Sequence, residues 1–104
     1  MLLFKKKFLP AIRQGEKTQT IRLWPHRMMR EGQRSYIPGI GYIGIDRVEP
    51  VRLEELTDED ALPDGFATAE ALRSEIESIY SEKLADGYQA FRVVFHITQE
   101  LSAH

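Results

Sequence analysis

The sequence predicts an α+β domain, a small curled sheet or barrel with two or three flanking helices, and three observations carry that expectation. Stretches rich in β-branched and aromatic residues recur between glycines: Thr18 to Trp24, Arg34 to Pro38, and about Tyr42 to Leu53. Thr68 then heads an amphipathic run from Ala69 to about Glu82, with Leu72, Ile76, Ile79 and Tyr80 at helical spacing. Finally, Tyr88 to Ile97 alternates Phe91, Val93, Phe95 and Ile97 against Ala90, Arg92, Val94 and His96, the clearest strand in the chain. At 104 residues, 42% hydrophobic and 29% charged, the chain has the size and composition of one globular domain.

The remaining elements follow in order. Met1 to Phe4 reads as a short apolar strand that Lys5, Lys6 and Lys7 continue into solvent. Phe8 to Gln14 suits a short helix, with Pro10 in its first turn, Leu9 and Ile12 on its buried face, and Gly15 as a left-handed stop. In the strand that follows, Gln19, Ile21 and Leu23 share one face, and Thr18, Thr20, Arg22 and Trp24 the other. If Ile21 and Leu23 face the core, Thr20 and Arg22 lie together on the surface away from it. Pro25 to Gly32 is a basic loop, and Gly39, Gly41 and Gly44 mark bulges or close backbone approach rather than a dinucleotide loop. Thr57 with Asp60 resembles a helix cap, Leu62-Pro63-Asp64-Gly65 a break, and Ala85-Asp86-Gly87 a turn. Glu70, Arg73, Glu75 and Glu77 read as the wet face of the long helix, and residues 98–104 as a frayed tail.

Composition removes several chemistries. With no cysteine there is no disulfide, thiolate metal site or cysteine nucleophile. His26, His96 and His104 lie too far apart for paired ligands, so neither a metal nor another cofactor is expected. The apolar start precedes its lysines, the reverse of a signal peptide, and no apolar run approaches a membrane span, which suggests a soluble, cytoplasmic protein. Residues 1–34 carry nine cations against Glu16 and Glu31, whereas residues 35–104 carry five cations against fourteen acids. That split suggests an anionic partner for the basic third, unless folding interleaves the halves.

The densest chemistry is Gly15-Glu16-Lys17-Thr18-Gln19-Thr20-Ile21-Arg22. A threonine hydroxyl is a poor nucleophile until a base takes its proton, and a lysine whose pKa is lowered by burial can do so. Lys17 and Thr20 are therefore the leading pair, with a solvated strand surface as the plainer alternative. Asp64 is the candidate acid beside Lys17, and Asp60 its substitute, against helix-cap and turn roles for both. Arg22, with Arg13, Arg27, Arg30 and Arg34, can contact phosphates, while Trp24 and Tyr36 or Tyr42 can stack on bases, unless these are core and scattered surface groups.

These eight residues resemble the signature of ASCH domains (activating signal cointegrator homology), small relatives of the PUA RNA-binding fold. Leu56-Thr57-Asp58-Glu59-Asp60-Ala61, then Asp64-Gly65-Phe66, a helix and a closing strand around Phe91 to Phe95 agree with the family's order, so the resemblance runs from about Phe4 to Ile97. It implies a PUA-like barrel of about five to six strands, with a cleft lined by the first motif. It also implies binding of RNA, a nucleotide or a modified nucleoside, through Lys17, Thr18, Thr20 and Arg22. One bacterial branch hydrolyses the acetyl amide of N4-acetylcytidine with a lysine, a threonine and a glutamate. Lys17 and Thr20 match the first two, while the third falls near Asp64, a shorter acid. The family's glycine-acid pair after the arginine-rich loop is Gly32-Gln33 here.

Three readings follow: a binder of RNA or a modified nucleoside, an amidohydrolase on N4-acylcytidine, and an adaptor whose acidic half, including Glu54, Glu55 and Asp58, meets a protein partner.

Overall fold

A computed structural model of the protein, describing residues 1–98, contains four strands: β1 (Gln19–Trp24), β2 (Arg34–Ile37), β3 (Gly41–Val51) and β4 (Gln89–Ile97). Three helices accompany them: α1 (Leu9–Arg13), α2 (Asp58–Ala61) and α3 (Ala69–Ala85). The strands form one antiparallel sheet in the order β1-β4-β3-β2, curled into a half-barrel. β4 is central because its alternating residues pair on both sides, Arg92 opposite Ile21 of β1 and Val93 opposite Val48 of β3. The long β3 bends where its register shifts between Ile45 and Arg47, a bulge that tightens the curl. Gly44 leaves room nearby for the His96 ring, which would have to swing aside for a Cβ 2.6 Å away.

Both faces of the sheet are covered. Inside the curl, Ile12, Ile37, Ile43, Ile45, Val93 and Phe95 make the larger core. Outside it, Ile21, Leu23 and Ala90 pack under Leu56, Ala61, Leu72 and Ile76 from the α2–α3 region. Each fully buried aliphatic side chain contributes about 1.5–3 kcal/mol before entropy is counted, so both layers hold β1 in place. Thr20 and Arg22 share the face opposite Ile21 and Leu23 as expected, but that face is not open surface. Their face of β1 turns into the mouth of the curl, where Thr20 is buried and Arg22 half-buried.

Several boundaries also differ from expectation. Among the described residues four strands form, where about five to six were expected. Met1 to Phe4 is not a strand: Leu2 N donates to Tyr36 O (2.9 Å), after which residues 6–8 turn into a short 3-10 helix. α3 extends to Ala85, with non-helical angles at Tyr80 (φ −120°, ψ 22°), and leaves Ile79 44% exposed. Thr98 is not frayed, since its N–H donates to Tyr42 O (3.0 Å); the rest of the expected tail, with His104, lies outside the described residues. The two caps form as the sequence suggests. Thr57 and Asp60 make a reciprocal capping box, and the Thr68 hydroxyl accepts from Ala71 N.

Candidate functional site

The site begins where α1 stops. Gly15 takes φ +78°, and the amides of Glu16 and Lys17 then both donate to Ala11 O (2.9 and 3.1 Å). Thr18 N donates to Pro63 O (2.8 Å), which ties the start of β1 to the loop after α2. In that loop Leu62–Asp64 form one 3-10 turn, ended by Gly65 at φ +91°. These constraints bring Lys17 and Asp64 together although they are far apart in sequence.

Lys17 Nζ lies 2.6 Å from Asp64 Oδ1, and both side chains are 3% exposed. The same nitrogen donates to the Asp64 carbonyl oxygen. The rings of Phe8, Phe66 and Phe4 surround it at 4.9, 5.7 and 5.8 Å, a cation–π enclosure that excludes water. Burial pushes the Lys17 ammonium below its ordinary pKa, against the opposing pull of Asp64. Burial likewise pushes the Asp64 carboxyl up, against Lys17 and a hydrogen bond from Gln19. Burial thus opposes the charged form of each partner, while the short contact between them opposes that effect, so the two groups titrate as a coupled pair.

Arg22 organises the neighbouring hydroxyl. Its Nε donates to Thr20 Oγ1 (3.1 Å), its Nη2 donates to Leu3 O (2.8 Å), and its guanidinium lies 4.7 Å over the Phe4 ring. A hydroxyl oxygen that accepts from a guanidinium keeps its own proton free to donate, and negative charge developing on that oxygen is stabilised.

Lys17, Thr20, Arg22 and Asp64 share one pocket of about 350 Å³, walled by Phe4, Phe8, Phe66, Ile79 and Tyr80. Apolar walls with a few convergent polar groups are the usual character of a small-molecule site, and this volume is near the lower end for one. At the rim, Glu75 pairs with both Lys5 and Lys7 at 3.2 Å. Burial pushes its carboxyl up, but hydrogen bonds and charge from the two lysines outweigh this and hold it below its ordinary value. Glu75 is therefore part of the pocket rather than plain wet face.

The other expected site residues do not converge there. Arg13 donates to Gly39 O (3.0 Å), and Thr18 lines a separate depression with Arg13 and His96. Trp24 packs on Phe91 with ring centroids 5.3 Å apart. Arg27 donates to Val48 O (2.7 Å), and Arg30 is exposed. Tyr36 and Tyr42 pack edge-to-face at 5.3 Å. Asp60, the substitute acid, is occupied by the Thr57 cap and by Arg92 (3.0 Å), and lines another depression. Among the described residues no cluster of His, Asp and Glu could hold a metal ion.

Sequence reasoning missed the aromatic walls, Glu75 and Gln19. For Gln19 one signal was available: it is the polar residue on a face otherwise made of Ile21 and Leu23.

No protein-family model matches the chain, and no curated protein matches it in sequence. Among solved structures it is similar to the hypothetical protein PH0355, with 17% identity and a TM-score of 0.73 over 92% of this chain and 95% of that one. It is also similar to protein EF3133 from Enterococcus faecalis V583, labelled DUF984, with 16% identity and a TM-score of 0.66 over 86% of this chain and 68% of that one. At these identities the likeness is one of fold.

Proposed function

We propose that the chain is an ASCH-type domain whose pocket takes a single modified nucleobase, as a free nucleoside or at an unpaired position in RNA. The observation that carries this reading is the convergence of buried Lys17, Thr20 and Asp64 and half-buried Arg22 at one aromatic-walled pocket of about 350 Å³. Aromatic walls suit a flat base, and the polar floor suits its carbonyl and exocyclic nitrogen. Arg13, Arg27 and Arg30 lie outside the pocket, which favours a single nucleoside over a long strand tracked by its phosphates. Calorimetric titration with N4-acetylcytidine, cytidine and a short single-stranded RNA tests it. Saturable nucleoside binding, weakened at least about tenfold by Arg22→Ala, is the expected result. Absence of heat with every nucleoside and RNA at low salt would remove the proposal.

The hydrogen bond from Arg22 to Thr20, together with the buried Lys17–Asp64 pair, favours a second reading in the same pocket: hydrolysis of the N4-acyl amide. Neutral Lys17 would take the Thr20 proton as Thr20 Oγ1 bonds to the acyl carbon. The carbon–N4 bond would then break, with the proton passing from Lys17 to N4, releasing cytidine and leaving an acyl ester on Thr20. Water would cleave that ester to the free acid and restore the hydroxyl. Cytidine release from N4-acetylcytidine is the measurement. Thr20→Ala should abolish it and Thr20→Ser should retain part of it. Undiminished turnover in Thr20→Ala rules out this route, and binding without turnover leaves the first reading standing.

A further inference from the structure

Gln19 is 2% exposed, on the face of β1 that otherwise carries Ile21 and Leu23 into the outer core. An aliphatic side chain would suit those neighbours without any hydrogen-bonding demand. Instead, the Gln19 amide nitrogen donates to Asp64 Oδ2 (3.2 Å) and to Asp60 O (3.0 Å), so it holds the two ends of the loop that carries the pocket's acid. Its carbonyl oxygen accepts from Arg92 Nη1 (3.4 Å), which also donates to Asp60 Oδ1 (3.0 Å). The amide's orientation is thereby fixed: only its nitrogen end can face the carboxylate. One Asp64 oxygen is held by Gln19 and the other is left for Lys17 at 2.6 Å.

We infer that Gln19 is a positioning residue for the proposed pocket, setting the Asp64 carboxylate toward Lys17 and bracing it against the Arg92–Asp60 ion pair behind β1. The inference about the carboxylate stands on the hydrogen bonds alone; its effect on turnover rests on the amidohydrolase reading. The titratable and charged groups around the Lys17–Asp64 pair are Arg22, Glu75, Lys5 and Tyr80 on the pocket side, with Asp60 and Arg92 behind Gln19.

The test uses Gln19→Leu, which fills the same space without a donor, and Gln19→Glu, which places a second acid against Asp64. The readout is the apparent titration midpoint of the Lys17–Asp64 pair, followed through the Lys17 Cε signal by carbon NMR on the whole protein without ligand. Loss of the donor removes support from the Asp64 anion and so from the lysine's charged form, so Gln19→Leu should move the lysine midpoint down. Gln19→Glu adds negative charge and should move it up. If N4-acetylcytidine is a substrate, Gln19→Leu should also lower kcat by about 10- to 100-fold with KM little changed, the pattern of a misplaced reacting group in a pocket that still binds its substrate. A folded Gln19→Leu protein with an unmoved Lys17 midpoint overturns the inference. If that variant fails to fold, an unmoved midpoint in Gln19→Glu does so. Lack of turnover in the wild-type protein counts against the hydrolase reading only, because the titration needs no substrate.

Discussion

Lys17 and Asp64 hold each other in a place where neither would be comfortable alone. Removing one partner of a buried pair leaves the other unmatched, at a cost of about 3–5 kcal/mol, whereas replacing both with apolar groups of similar volume is close to neutral. Lys17→Met should therefore lower the urea midpoint sharply, and Lys17→Met with Asp64→Leu should recover most of that loss. Equal destabilisation in the single and double variants would mean that the pair is not the source. The lysine, the threonine and the arginine are legible in the sequence because one octapeptide carries them. Asp64 is legible only as a candidate beside Asp60, since the choice depends on which carboxylate the loop turns inward. The shorter acid reaches Lys17 because Pro63 O accepts from Thr18 N and draws the loop against β1. The aromatic walls are not legible. Phe4 and Phe8 share the N-terminal segment, but Phe66 comes from the loop after α2, and nothing local brings it to them.

At the scale of elements, the single 3-10 turn Leu62–Asp64 and its glycine stop act as the hinge on which the acid is hung. Gly65 has φ +91°, and a side chain there would meet only ordinary contact with the Lys17 stem, the nearest atom at 3.8 Å. The difficulty for any other residue is thus backbone strain rather than space. Gly65→Ala should cost about 1–2 kcal/mol in denaturant unfolding and displace Asp64, so ligand affinity should fall together with stability. Unchanged affinity in that variant would show that the acid is held by other contacts. Local signals make the caps, the glycine stops and the long helix readable, because each depends on a few adjacent residues. The number of strands is harder to read. Whether Met1 to Phe4 pairs as a strand depends on how much of the β2 edge it meets, and its bond to Tyr36 O does not extend into a ladder. The place of Glu75 on α3 is hidden for a similar reason: helical spacing cannot reveal two lysines arriving from the N-terminal segment.

Across the whole molecule, the basic and acidic parts of the sequence interleave. Lys5 and Lys7 meet Glu75, and Lys17 meets Asp64, so part of the charge asymmetry is neutralised within the fold rather than left for a partner. This gives stability a defined acid limit. Asp60 is held below its ordinary value of 3.8, first by the Thr57 amide and then by Arg92, against the effect of burial. Glu75 is held below 4.5 by Lys5 and Lys7 despite burial. Carboxyls whose folded pKa is depressed stabilise the fold at pH above their ordinary values, and that stabilisation is lost as pH falls through the depressed ones. The stabilisation from these two carboxyls should thus be steady down to about pH 4.5 and decline below it, so Asp60→Asn plus Glu75→Gln should make the fall of melting temperature in acid shallower. A wild-type slope in the double variant would place the acid sensitivity elsewhere.

The pocket draws its floor and its walls from different places. The polar side chains of the floor come mainly from residues 17–22 and Asp64, whereas part of the wall is the side chains of Leu3, 64% exposed, and Ile79, 44% exposed. Substitutions at those two positions touch little of either core, so they can accumulate with small effects on folding. Natural divergence, or a laboratory library randomised at Leu3 and Ile79, could therefore explore new ligand shapes while inheriting the same floor unchanged.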